Sequence, residues 1–344
     1  MTSRIAALVV SFALAAACRG EGGTDNGKGD PSPLPHVLYD RGPNRPTVLT
    51  EHGDTLYWAE SSPDEGPCIM RAPKDGSAQP EMLGTRSPYD VARFSVSNRH
   101  VFWQDNGLLI AFDLAAKERK ELGRLADDGY GGPSLSVDDE WAAFADSSCR
   151  SVTTARLSTG ELFHARVHEE LRGGITSLAA VDGGVLCANG PEIVHVVPGT
   201  TTFERVWQTA DEALWVYGMS AVEKVGTVFQ LTRTSVSRSM FWSSLQNFDL
   251  ATHAETILME FPGIAQLSFA LDPKSRRVFF APPFQLRSLE TLHLETGHRS
   301  TLPGEAYLGT LIVDEAHLYW SENDQAKRES PKNAIYRQRK PELE

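Results

Sequence analysis

Four tyrosines recur at one kind of place in this chain. Tyr89, Tyr130, Tyr217 and Tyr307 each stand two to five residues before a short apolar run. Trp215 sits beside Tyr217, and Phe261 occupies the corresponding place in another stretch. Asp90, Asp127, Asp128, Asp211 and Glu305 lie in the same connecting segments. An aromatic ring with a polar tip suits a sugar face or a peptide side chain, and the carboxylates make such a surface acidic. The residues Tyr89, Asp90, Tyr130, Trp215, Tyr217 and Tyr307 are therefore candidates for ligand binding. The other reading of these aromatics is that they wedge between structural units and meet no ligand.

Residue types for bond chemistry are placed less favourably. Of the ten histidines, His100 and His317 occupy equivalent turn positions in two repeats. His164, His168, His195 and His293 fall in third or fourth strands or their connections, towards the rim, and none sits in an innermost strand beside a carboxylate, which argues against a channel metal site. No G-x-S-x-G elbow is present, and no phosphate-binding glycine loop. Asp138 and Asp314 stand near turns at strand ends. Acidic stretches such as Pro63-Asp-Glu65 lack a recognised calcium pattern. No catalytic residue, metal ligand or cofactor is assigned.

The elements that position these residues are set by a repeat. An apolar strand, a tight turn and a second strand carrying an aromatic pair recur seven times. The pair falls at Tyr57-Trp58, Phe102-Trp103, Ala143-Phe144, Leu186-Cys187, Val228-Phe229, Phe279-Phe280 and Tyr319-Trp320. Spacing of about 40–50 residues is that of a four-stranded propeller blade. Helical periodicity is nearly absent. The expectation is an all-β, seven-bladed β-propeller over residues 36–344. Repeats four to six have lost the full signature, which leaves six or eight blades open. In the second repeat the strands are expected at Phe94–Ser97, His100–Gln104, Leu108–Leu114 and Lys120–Leu125. Gly76, Gly160 and Gly297 supply positive φ in hairpin turns, while Leu250-Ala-Thr-His253 is a variant without glycine. The seventh repeat lacks a fourth strand, and His36–Arg41 is predicted to supply it by pairing with the strand that contains Tyr336. That closure removes two exposed sheet edges.

The aromatic-Trp-x-acid signature is Tyr57-Trp-Ala-Glu60, Phe102-Trp-Gln-Asp105 and Tyr319-Trp-Ser-Glu322, with Ala143-Phe-Ala-Asp146 as a degraded copy. It resembles YWTD-type propellers and the TolB-like propellers of bacterial envelope proteins. Those usually have six blades. The resemblance implies architecture and is nearly silent on activity. In such folds ligands usually bind on the face of the connections between blades and of the loops after the second strand. The long loops Glu60–Pro67 and Ser321–Asn333 would meet there across the closure, as a partner surface or as drifted loops.

The N-terminus reads as an address. Arg4 and an apolar stretch over Ile5–Ala17 form a signal peptide, residues 1–17, too short to span a bilayer. Ala15-Ala-Ala-Cys18 resembles the lipobox of bacterial lipoproteins, which implies lipidation at Cys18 and anchoring to the cell envelope. Arg19 as the second mature residue favours the outer membrane. Ordinary cleavage to a secreted or periplasmic protein is the alternative. Residues 18–35 are polar and form a flexible tether.

The chain has 344 residues with 33 basic against 45 acidic, a net charge of −12. No basic face is present, so nucleic acid is not an expected partner. Basic residues near the C-terminus, including Arg337 and Lys340, read as solvated surface. Cys187 reads as a small core residue, and Cys68 and Cys149 are the pair that an oxidising compartment could join. The function expected is that of a monomeric, envelope-anchored binding or scaffold module for a protein, peptide or glycan. A hydrolase or lyase acting on a glycan or lactone through the central channel is the alternative.

Overall fold

Alternating short apolar runs and turn residues fold into strands alone, as the computed structural model shows. It describes residues 34–341 apart from 43, 63–65, 86–93, 106, 125–133, 137, 146–150, 167–174, 182, 210–213, 223–225, 234–241, 263–266, 273, 283–287, 304–307 and 323–332. These fall in the unit Pro31–Glu344. The expected signal peptide, Cys18 and nearly all of the tether lie outside the described residues.

Strand β1 (His36–Asp40) comes first. Blade 1 is β2 (Arg45–His52), β3 (Thr55–Ser62), β4 (Gly66–Pro73) and β5 (Glu81–Thr85). Blade 2 is β6 (Phe94–Val96), β7 (His100–Asp105), β8 (Leu108–Asp113) and β9 (Glu118–Arg124). Blade 3 is β10 (Ser134–Ser136), β11 (Trp141–Ala145), β12 (Ser151–Arg156) and β13 (Leu162–Arg166). Blade 4 is β14 (Ile175–Val181), β15 (Gly184–Asn189), β16 (Glu192–Val196) and β17 (Phe203–Gln208). Blade 5 is β18 (Leu214–Val222), β19 (Gly226–Arg233), β20 (Trp242–Phe248) and β21 (Glu255–Pro262). Blade 6 is β22 (Phe269–Leu271), β23 (Arg277–Phe280), β24 (Glu290–His293) and β25 (Arg299–Thr301). Blade 7 is β26 (Leu308–Val313), β27 (His317–Glu322) and β28 (Ala334–Arg339), completed by β1.

Each blade is one four-stranded antiparallel sheet, seven in all. The first strands of neighbouring blades touch all the way round, and β26 meets β2 to close the ring. The architecture is a seven-bladed β-propeller, as the spacing predicted. The closure is also as predicted, with β1 antiparallel to β28 and Val37 opposite Tyr336.

The repeated pair is explained by what lies between blades. Seven hydrophobic clusters fill the seven junctions, and successive side chains on a strand point to opposite faces. The first member of each pair therefore faces the next blade and the second faces the previous one. Phe102 meets Phe144 edge-on between blades 2 and 3, with ring centroids 6.4 Å apart. Trp58 packs back towards Tyr319 of blade 7, and Trp103 back towards Tyr57 of blade 1. Where the pair has decayed the same positions still do the work: Ala143 and Cys187 share one junction, Leu186 and Phe229 the next. Burial pushes the Cys187 thiol pKa up, as fits an inert packing residue. Cys68 is buried between blades 7 and 1, and Cys149 lies outside the described residues.

The turns joining third and fourth strands share a backbone form. The amides of Lys117, Gly160, His253 and Gly297 donate to the carbonyls four residues earlier, at 2.8–3.0 Å. All four have left-handed φ, 57°, 76°, 58° and 66°. His253 and Lys117 thus hold a conformation that glycine takes without a Cβ penalty. Lys117→Gly is expected to stabilise the propeller by about 0.5–1 kcal/mol, read in denaturant unfolding, with His253→Gly gaining less. The His253 ring packs edge-on against Phe248 at 5.9 Å, and that contact is given up. Destabilisation by Lys117→Gly would contradict this account of the turn.

Candidate functional site

Each innermost strand runs from the connection between blades to the turn before the second strand, so the channel has two ends. The candidate ligand residues are expected at the first end. Tyr89, Asp90, Tyr130 and Tyr307 lie outside the described residues, as do Asp127, Asp128, Asp211 and Glu305. Trp215 and Tyr217 are described, and their placement corrects the sequence reading. Both lie within β18, the innermost strand, rather than in the connection before it. Phe261 is also displaced: it sits on outer strand β21, buried between blades 5 and 6.

The correction has a backbone cause. Val216 pairs with Leu231 and Gly218 with Gln230, so Tyr217 is the extra residue of a β-bulge. β2, β14 and β26 break register at the same end. A bulge adds one residue, bends the strand and re-aims side chains, which lengthens the inner strand beyond the hydrophobic alternation. The bulges are tied across blades. The Thr310 hydroxyl donates to the Thr47 carbonyl at 2.7 Å, and Ser177 donates to the Met219 carbonyl at 3.4 Å. Ser268 donates to the Gly309 carbonyl. Sequence periodicity missed this belt. The small hydroxyl residues Thr47, Thr176 and Thr310, at one place in three repeats, were the available signal.

Trp215 is half-buried at this end of β18. It stands opposite Thr232, which is fully buried and hydrogen-bonded to Ser243 at 2.9 Å and to the Gln230 amide at 3.2 Å. The next residue, Val216, donates its amide to the Gly190 carbonyl of blade 4 at 2.7 Å. The indole is thus carried on a strand fixed from two sides, with part of its surface free for contact.

The described acids of the aromatic signature, Glu60, Asp105 and Glu322, are engaged within the fold, and Asp146 lies outside the described residues. Glu60 is 2% exposed. Its carboxylate accepts from Arg41 Nε and Nη2 at 2.8 and 2.6 Å, from Asn44 at 3.2 Å and from Trp58 Nε1 at 2.7 Å. Glu322 accepts from the Tyr336 hydroxyl, and Asp105 from Arg119 at 3.2 Å.

Among the described residues the opposite end holds a group of titratable side chains. Asp314 Oδ1 accepts from the amides of Ala316 and His317, and Asp138 Oδ1 from those of Glu140 and Trp141, all at 2.7–2.8 Å. These are turn caps, as their positions suggested. Asp314 Oδ2 also accepts from Lys74 at 3.0 Å and Tyr319 at 3.1 Å. Burial raises the Tyr319 pKa, with the Asp314 charge adding to it. Burial alone would lower the Lys74 pKa, but hydrogen bonds to Glu51 and Asp314 outweigh it and raise it. Burial lowers the pKa of both His100 and His317. Arg337 donates to the Lys74 carbonyl at 2.9 Å, and Lys340 to Asp272 at 2.7 Å, so neither is merely solvated. His164, His195 and His293 lie on third or fourth strands, away from the channel.

Among the seven innermost strands only β2 carries His, Asp, Glu, Lys or Arg: Arg45, Glu51 and His52. Glu51 is paired with Lys74, and His52 is 2.7 Å from Asn98. Among the described residues no group of three or more His, Cys, Asp or Glu is placed to hold a metal ion. No helix among them is long and apolar enough to cross a membrane.

No protein-family model and no curated protein matches the sequence. Solved structures do match. The β-propeller domain of Cps50 (Swd1) from Myceliophteria thermophila is 12% identical, with a TM-score of 0.62 over 89% of this chain and 100% of that one. An oligogalacturonate lyase in complex with manganese is 13% identical, with a TM-score of 0.60 over 90% of each chain. YCF48 bound to D1 peptide is 10% identical, with a TM-score of 0.58 over 91% of this chain and 98% of that one. At these identities the likeness shows the propeller fold alone.

Proposed function

We propose that this chain is an envelope-anchored binding or scaffold module of the YWTD-like and TolB-like kind, lipidated at Cys18 and acting as a monomer without cofactor. Its contact surface is the channel mouth formed by Tyr89, Asp90, Tyr130, Trp215, Tyr217 and Tyr307, and its ligand is a protein, peptide or glycan. The observation that carries this reading is Trp215, a half-buried indole at the mouth end of a braced inner strand beside a bulge. A rigid aromatic anchored in this way supplies contact area at low entropic cost. Inner strands that are almost free of acid–base side chains also favour recognition over catalysis.

A second reading is favoured by one observation, that a structural neighbour is a lyase in complex with manganese. On that reading the channel acts on a glycan or lactone. A thermal-shift screen against cell-wall glycans, sugars, envelope peptides and divalent metals separates the two. The binding reading expects a glycan or peptide shift that Trp215→Ala weakens by at least about tenfold in affinity, the scale of an interface hot spot. A metal-dependent shift indifferent to Trp215, with turnover of the glycan, would favour the lyase.

A further inference from the structure

The wedge between blades 6 and 7 holds a buried positive charge for which the described residues supply no counter-charge. Arg277 opens β23 and is 6% exposed. It lies two residues before Phe279, on the side of the strand that faces blade 7. Among the described residues its Nη1 has no hydrogen-bond acceptor. Nearby, Asp272 pairs with Arg277 through the backbone, its amide donating to the Arg277 carbonyl at 2.8 Å. The Asp272 carboxylate is already engaged by the Lys274 amide at 2.9 Å, Ser275 Oγ at 2.6 Å and Lys340 Nζ at 2.7 Å. The Asp272 carboxylate is thus matched by Lys340 and not by Arg277.

The same face of blade 6 carries two more unmatched donors. Thr291 stands opposite Phe279 in the sheet, and Ser300 stands opposite Thr291, so all three share a face. Thr291 Oγ1 and Ser300 Oγ are buried without a partner among the described residues. Arg277 pairs with His293, which places Thr291 on its diagonal, within reach of a long side chain. The contrast is with Lys74 at the junction of blades 7 and 1, which has two carboxylates, Glu51 and Asp314.

We infer that this wedge is an anion site that takes a small tetrahedral oxyanion of the phosphate class, held by the Arg277 guanidinium with the hydroxyls of Thr291 and Ser300. A guanidinium keeps its charge in any protein environment, and burying it unpaired costs several kcal/mol, so a mobile anion is the natural counter-charge. The near-complete burial of Arg277 excludes a macromolecular phosphate.

The test is thermal unfolding of the propeller in chloride buffer with millimolar inorganic phosphate or sulfate added at constant ionic strength. The expected result is a saturable rise in melting temperature with phosphate. Arg277→Met should abolish that rise, yet melt no lower than wild type without phosphate, because it removes an unbalanced charge. Thr291→Val, which keeps shape and removes one donor, should weaken apparent phosphate affinity several-fold and serves if Arg277→Met fails to fold. A flat wild-type response, as expected if water alone satisfies Arg277, overturns the inference. So does a phosphate response that survives both substitutions.

Discussion

A protein lacking residues 1–43 is expected to lose its cooperative unfolding transition near the wild-type temperature. Those residues include β1, which is the outer strand of blade 7 although it comes first in the chain. Tyr39 is buried, stacks on Trp58 at 5.8 Å and donates its hydroxyl to the Pro73 carbonyl of blade 1. Burial, with the charge of Asp75, raises its pKa to about 12. Arg41, just after the strand, grips Glu60. Deleting the segment uncovers Trp58, leaves Glu60 buried without its cation and exposes the ladder edge of β28. An aromatic core truncation costs about 3–5 kcal/mol and an orphaned buried charge about as much again. The sum rivals the whole stability of a domain, about 5–15 kcal/mol. Circular dichroism melting and size exclusion check this, with association through the freed edge expected. A monomer that melts within a few degrees of wild type would show that the closure contributes little.

Glu60→Ala is expected to be the most damaging single change among the signature acids. It leaves the Arg41 guanidinium, 14% exposed, and the Trp58 indole N–H without their acceptor. Removing one partner of a buried pair costs about 3–5 kcal/mol. Glu322→Ala, which removes one acceptor from Tyr336, is expected to cost about 1–2 kcal/mol. A double-mutant cycle of Glu60→Ala with Arg41→Met should show a coupling above about 1 kcal/mol. Equal and small costs at Glu60 and Glu322, with no coupling, would mean that the signature acid is not a clamp.

These two predictions turn on features of different legibility. The aromatic pair was readable because strand alternation alone sends its members to opposite junctions. Blade number therefore survived the loss of the aromatics at Ala143, Leu186 and Val228. The closing strand was readable as an apolar run with no other place in the count. The mouth was less readable. Tyr217 falls at a bulge, and a bulge is set by how β18 and β19 meet rather than by period, so Trp215 and Tyr217 were expected one element too early. Lys117 and His253 carried no composition signal for their left-handed turns. The acid after the Trp was readable as part of the repeat signature, but its clamp role shows only once its donors are in view. The unmatched Arg277 is visible only through the cross-strand register that groups it with Thr291 and Ser300.

The central claim is that the mouth end of the channel makes the contact. Amide hydrogen exchange of the propeller, with and without the first ligand that shifts its melting, tests this most directly. The account predicts slowed exchange concentrated at Leu214–Gly218 and at the neighbouring inner-strand bulges of β14 and β26. Slowed exchange confined to the opposite end, at the turns capped by Asp138, Asp272 and Asp314, would contradict it.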